Sequence, residues 1–198
     1  ITSIGVFWGI FIYIALAGSA TGLENGFDDA FSGLSKNSMG VWVQRTSIPY
    51  KGFEEGRYPV FKLNDVDYLK SRVPEIEYIA PGLQAGAFTG SPPLVVRGLK
   101  SDNFNVFGNF PVYAKISVIN IFDGGRYIND DDIKYERKVA VIGEGTQERL
   151  FNVGEDPIGK YIRINDVNFM VVGVTKFTEG SGFGSDSDIT IPYTTFAK

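Results

Sequence analysis

The chain has 198 residues, 43% of them apolar and 14% aromatic, with a net charge of −4 and neither cysteine nor histidine. This balance points to folded structure, and it excludes disulfides, zinc-thiolate sites, cysteine nucleophiles and histidine-based triads. The acidic excess and the absence of any basic cluster argue against a nucleic-acid partner.

No charge occurs between Ile1 and Leu23. At the helical rise this run would span about 34 Å, slightly more than the roughly 30 Å hydrocarbon layer of a bilayer, so a membrane helix is expected at the start of the chain. Two other readings stand beside it. A cleaved secretion signal would use Ile4 to Leu16 as its apolar core and Ala15-Leu16-Ala17 as its cleavage site, and a buried core helix would have similar composition. Against the signal, Leu23, Phe27, Phe31 and Leu34 recur at helical spacing and predict a stalk running straight out of the apolar run, ended by Gly33 to Ser38. Gly5 and Gly9 form one GxxxG step, and Gly18, Gly22 and Gly26 form another on roughly the opposite face, which predicts helix neighbours in lipid on two sides. No Lys or Arg precedes the run, so charge gives no orientation.

Beyond the stalk, Gly40 to Thr46 reads as a strand from its β-branched and aromatic content. A helix with Asn64 as N-cap, Asp65 and Asp67 in its first turn, a Leu63/Tyr68 staple and Pro74 as its stop should follow. Glu75 to Phe88 reads as extended, and strand, helix and strand together predict a βαβ unit with at least two parallel strands. Leu94 to Leu99 is a further strand, Ser101 to Phe107 a helical turn, and Lys115 to Phe122 extended and mostly buried. Gly124-Gly125 breaks the chain before a short helix capped by Asn129. Lys138 to Ile142 reads as a strand covered on both faces, followed by a helix from about Gly145 to Phe151. Tyr161–Ile164 and Val167–Val174 flank Asn165-Asp166 as a tight hairpin. Ile189 to Ile191 is a last strand with no closing helix.

Four motifs invite chemistry, and each has a plainer explanation. Gly143-Glu-Gly145 after a strand resembles the opening of a dinucleotide fingerprint, but Glu148 stands where the third glycine belongs, so a strand-to-helix turn suffices. Asp130 to Asp132 lack the alternate spacing of a calcium loop and fit a capped helix start; Asp186 and Asp188 are similarly weak. Gly180 to Gly184 could cradle an anion, yet reads first as a flexible connection. No catalytic, cofactor or metal site is therefore expected.

The order of short motifs carries more. Gly5-Val-Phe-Trp-Gly9, Val95-Val-Arg-Gly98, Gly125-Arg-Tyr127, Lys138-Val-Ala-Val-Ile-Gly143, Leu150-Phe151, Asp156-Pro157-Ile158-Gly159-Lys160, Phe169 to Val174 and Ile191-Pro192 follow one another across nearly the whole chain. In that order they resemble the periplasmic core domain of MacB-type ABC transporter permeases, with the Asp156, Pro157, Gly159, Lys160 segment the most specific. The resemblance implies an α/β (α+β) fold: a first transmembrane and stalk helix (1–36), a porter-like βαβ lobe (37–93), an inserted small α/β lobe (94–175) and a return to the porter-like lobe (176–198), with further porter and membrane segments beyond Lys198. It also implies a domain in the periplasm, anchored in the cell inner membrane. The implied partners are a second permease copy, an ABC ATPase and a periplasmic adaptor. No Walker motif occurs, so hydrolysis is expected in a partner and mechanical coupling here. A membrane-anchored extracytoplasmic binding module, without a transport role, is the alternative expectation.

Overall fold

The computed structural model describes residues 2–30, 37–86, 90–177 and 184–198, with side chains of the first helix described over 4–27. That helix, α1 (Thr2–Ala30), is continuous, and every side chain described along it is exposed. Of the residues expected to form a stalk, Leu23 and Phe27 lie on it, whereas Phe31 and Leu34 fall outside the described residues.

The second helix, α2 (Leu63–Arg72), begins two residues earlier than its capping signals suggested. Lys62 is the N-cap, and the Asp65 carboxylate accepts from the Lys62 N–H at 2.8 Å, so Asn64 already sits inside the helix. One carboxylate three residues into a helix satisfies the orphan N–H as well as a capping side chain does. The helix stops at Val73, ahead of Pro74, as expected.

Eight strands form one sheet: β1 (Leu83–Ala85), β2 (Leu94–Arg97), β3 (Lys100–Asn103), β4 (Val106–Asn109), β5 (Val139–Gly143), β6 (Tyr161–Ile164), β7 (Val167–Thr175) and β8 (Ile189–Pro192), in the order β1-β4-β8-β5-β7-β6-β2-β3. Pairing is parallel for β4/β8 and β5/β7 and antiparallel elsewhere. The sheet runs across both lobe edges expected from the sequence, since β1 precedes residue 94 and β8, which follows residue 175, sits near the middle.

Five expectations differ. Gly40 to Thr46 makes no ladder, because β propensity yields a strand only where a partner strand is present. The βαβ unit expected around α2 is therefore not formed among the described residues. Parallel pairing lies instead between β4 and β8 and between β5 and β7; after the short α3 (Asp130–Lys134), the latter two strands are joined through α4 (Glu144–Leu150) and β6. Ser101 to Phe107, read as a helical turn, is the β3–β4 segment, and Lys115 to Phe122, which starts on the last residue of a 3₁₀ turn (Pro111–Lys115), makes isolated bridges at Ser117 and, to Thr175, at Ile121. A one-turn helix, Tyr193–Phe196, closes the described chain after β8.

Elsewhere pattern and structure agree. All five residues of β5 are buried, with Ala140 and Ile142 in the larger core cluster and Val139 and Val141 in the smaller. Alternation along a strand places those clusters on opposite faces. Leu150 and Phe151, at the end of α4, pack into the larger cluster, and Tyr127, Ile128 and Ile133 cover the smaller. Asn165 (φ 43°) and Asp166 (φ 68°) turn the β6–β7 hairpin in the left-handed conformation such a two-residue turn demands.

Candidate functional site

The structure offers as candidate features an exposed apolar helix and two side-chain clusters that gather the short motifs. Ile4 to Phe27 forms a helix of mean hydropathy 1.8. Its 24 residues would reach about 36 Å, enough for a bilayer. Around Gly5, Gly9, Gly18 and Gly22 nothing lies within 4 Å of where a Cβ would stand, so these positions, expected to pack against other helices, have no neighbour there among the described residues.

The first cluster joins three motifs distant in sequence. Arg97, at the end of β2, reaches Glu155 Oε1 at 2.5 Å and Oε2 at 3.3 Å, donates to the Leu150 carbonyl at 3.3 Å, and lies 4.1 Å over the Phe151 ring. Lys160 pairs with the same Glu155 carboxylate, and Lys100 donates to the Phe151 carbonyl. Asp156 Oδ1 accepts from the Ile158 N–H at 2.9 Å, Gly159 N–H donates to the Val171 carbonyl at 2.8 Å, and Pro157 is buried. The segment 156–160 thus ties the α4–β6 connection to β7 and β2. Glu155 holds these parts together and was missed in the sequence, since an acidic residue one place before a motif carries no periodic signal.

The Glu155 carboxyl is pulled from the ordinary 4.5 down to about 2, foremost by the Lys160 hydrogen bond, then by the Asn152 N–H, with Arg97 adding to both against partial desolvation. A depressed folded value means that the carboxylate's contribution is complete above about pH 4.5 and is lost as pH falls through about 2. Glu155→Gln should flatten the acid limb of stability over that window; an acid limb identical to that of the parent, measured by urea midpoints at several pH values, would contradict this role.

The second cluster is built on Gly125-Arg126-Tyr127 and the β7 motif. Arg126 N–H donates to the Val172 carbonyl at 2.8 Å, and its guanidinium grips Asp132 at 2.6 and 3.1 Å. Asp132 is fully buried, accepts from the Asn129 N–H at 3.1 Å and is approached by Arg137 at 3.5 Å. Burial alone would raise its carboxyl, but the hydrogen bonds from Arg126, Asn129 and Arg137 and the Arg126 charge hold it below the usual range. Asp130 to Asp132 therefore form a capped helix start, with Asn129 as N-cap.

Gly143 and Gly145 also receive a structural explanation. A Cβ on Gly143 would stand 2.0 Å from the Asp186 carbonyl oxygen, and the N–H groups of Gly143 and Gly145 donate to the Asp188 and Asp186 carbonyls. The 185–188 loop thus occupies the place where a phosphate would sit in a dinucleotide fold. Asp188 accepts from Ser185 N–H at 2.6 Å and Asn105 Nδ2 at 3.1 Å, and burial, against those bonds, raises its carboxyl. Most of the 180–184 loop lies outside the described residues.

Comparison with known proteins decides what this arrangement belongs to. The model of the MacB-like periplasmic core domain matches residues 1–198. The chain belongs to that family. Macrolide export ATP-binding/permease protein MacB of Bdellovibrio bacteriovorus is 25% identical over 197 residues, covering 98% of this chain and 29% of that protein. Pyoverdine export ATP-binding/permease protein PvdT of Pseudomonas syringae pv. syringae is 34% identical over 139 residues, covering 68% of this chain and 20% of that protein. The crystal structure of the periplasmic region of MacB from Actinobacillus actinomycetemcomitans superposes with a TM-score of 0.54 at 25% identity, over 69% of this chain and 56% of that one. The extracellular domain of the noncanonic ABC-type transporter YknZ from Gram-positive bacteria shares the fold, with a TM-score of 0.57 at 20% identity over 70% and 67% of the two chains. The chain spans less than a third of the curated relatives it matches. A MacB-like α/β domain behind an apolar N-terminal helix is thus shown, and the family is a transport component, not a catalytic enzyme by itself.

Proposed function

We propose that this MacB-like domain serves an ABC export permease of the cell inner membrane, with α1 as its first membrane span and the sheet domain in the periplasm. The observation that carries this reading is the apolar helix Ile4–Phe27, outward-facing along its length, at the head of a MacB-like fold. A partner ATPase subunit or domain would hydrolyse ATP, and α1 would carry the movement outward as a rigid rod. Gly5/Gly9 and Gly18/Gly22 would pack against a second permease copy and further membrane helices, and a periplasmic adaptor would complete the path. For the lobes, we draw the edges outside β1 and β8 rather than at 94 and 175, because one sheet holds all eight strands.

Membrane integration is tested on the full chain by alkaline carbonate extraction. The parent should stay in the pellet. Ile10→Asp with Ile14→Asp should move it to the supernatant, because each aspartate near the middle of a span opposes insertion by about 3 kcal/mol. A parent chain released by carbonate would contradict the span.

A further inference from the structure

We propose that a hairpin of the first lobe, residues 46–57 with its flanks, lies on the anionic lipid surface beside the span, an inference that rests on α1 crossing the membrane. The hairpin is defined by its own hydrogen bonds. Thr46 N–H donates to the Arg57 carbonyl at 2.9 Å, Gly56 N–H to the Thr46 carbonyl at 2.7 Å, and Tyr50 and Phe53 exchange bonds of 3.1 and 3.0 Å across a turn at Lys51 (φ 49°) and Gly52 (φ 83°). Its apolar side chains are not spent on a core: Ile48 is 74% exposed, Tyr50 68%, Phe53 57% and Tyr58 63%. A contiguous exposed patch of this kind marks an interaction surface.

Charge selects the partner. Residues 37–62 carry Arg45, Lys51, Arg57 and Lys62 against Glu54 and Glu55, a cationic excess in a chain whose net charge is −4. Three of those cations sit over aromatic rings: Arg45 over Tyr58 at 5.1 Å, Lys51 over Tyr50 at 5.4 Å and Arg57 over Phe53 at 4.1 Å. Aromatic rings beside Lys and Arg are what the headgroup layer of a bilayer favours, and each cation near an anionic leaflet strengthens binding roughly fivefold. Reach permits it, because Thr46 follows the end of α1 at Ala30 closely enough that an extended chain could place it no more than about 55 Å away. The two carboxylates oppose the contact, and the four cations outweigh them.

The absence of cysteine allows single fluorophores on the full chain, placed at Phe53→Cys, Ile12→Cys and Leu99→Cys and reconstituted in vesicles with brominated acyl chains as quencher. The vesicles are phosphatidylcholine alone or phosphatidylcholine with phosphatidylglycerol. The Ile12 label should be quenched in both and the Leu99 label in neither. The Phe53 label should be quenched at least about threefold more with phosphatidylglycerol present. Arg45→Glu with Arg57→Glu should abolish that difference, and Arg57→Lys should keep it. A quenched Ile12 label with an unquenched Phe53 label in both lipids would overturn the hairpin contact and leave the span standing. Equal quenching of Phe53 in both lipids would overturn the anionic preference. A Phe53 label shielded from water but untouched by brominated lipid would replace the membrane with a protein partner. An unquenched Ile12 label would overturn the span itself.

Discussion

Gly173→Ala should lower domain stability by about 3 kcal/mol, read as a fall of roughly 10 °C in unfolding temperature in a fixed detergent. The added Cβ would stand 2.3 Å from the Arg126 carbonyl oxygen and 3.1 Å from that residue's carbonyl carbon and nitrogen. All three are backbone atoms, held by the 2.8 Å bond from Arg126 N–H to Val172, so relief requires parting the 125–127 segment from β7. Burial of one methyl contributes far less than the clash and the lost bond remove. Gly5→Ala is the contrast: nothing lies within 4 Å of its added Cβ, so domain stability should stay within about 0.5 kcal/mol. A Gly173→Ala protein as stable as the parent would show that the Gly125-Arg126-Tyr127 segment can slide away freely.

Asp132→Ala should follow closely, with a loss of about 2–3 kcal/mol. Its carboxylate is wholly buried and serves two guanidinium nitrogens of Arg126 and the helix-entry N–H of Asn129. Because Arg126 keeps 40% of its side chain in water, the stranded cation can be solvated, which keeps the loss below the full penalty of an unpaired buried charge. Arg137→Ala should lose less than about 1 kcal/mol, since that side chain is 44% exposed and reaches Asp132 only at 3.5 Å. Urea unfolding of the three proteins at neutral pH decides the ranking, and an Arg137→Ala loss equal to that of Asp132→Ala would reverse the assignment of Arg126 as the principal partner. As the folded carboxyl lies below its usual value, the Asp132 advantage should fade on acidification through that depressed range.

What the sequence made legible followed from local physics. The continuous apolar run Val139 to Ile142 reads as a strand covered twice, Asn165-Asp166 suits a two-residue turn, and Asn129 reads as a helix cap; all three stand in the structure. What misled was partnership. Val41, Trp42 and Val43 have strand character, but no neighbouring strand among the described residues pairs with them. Ser101 to Phe107 reads as a helical turn because its first part belongs to an edge strand of polar residues, Lys100–Asn103, with no apolar alternation in its sequence. The motif cluster was legible as an order of fragments yet not as a contact, because Arg97 and Glu155 are 58 residues apart and nothing local announces their pairing.

In the proposed function α1 transmits movement between an ATPase and the periplasmic domain. The most direct test is the distance between spin labels at Val153→Cys on two copies of the complete permease, with and without ATP, in lipid. The distance distribution should shift on nucleotide binding, and a flexible Gly-Ser insert after Ala30 should remove the shift by breaking the rod. Transport that proceeds with the distribution unchanged by nucleotide would contradict transmission through α1.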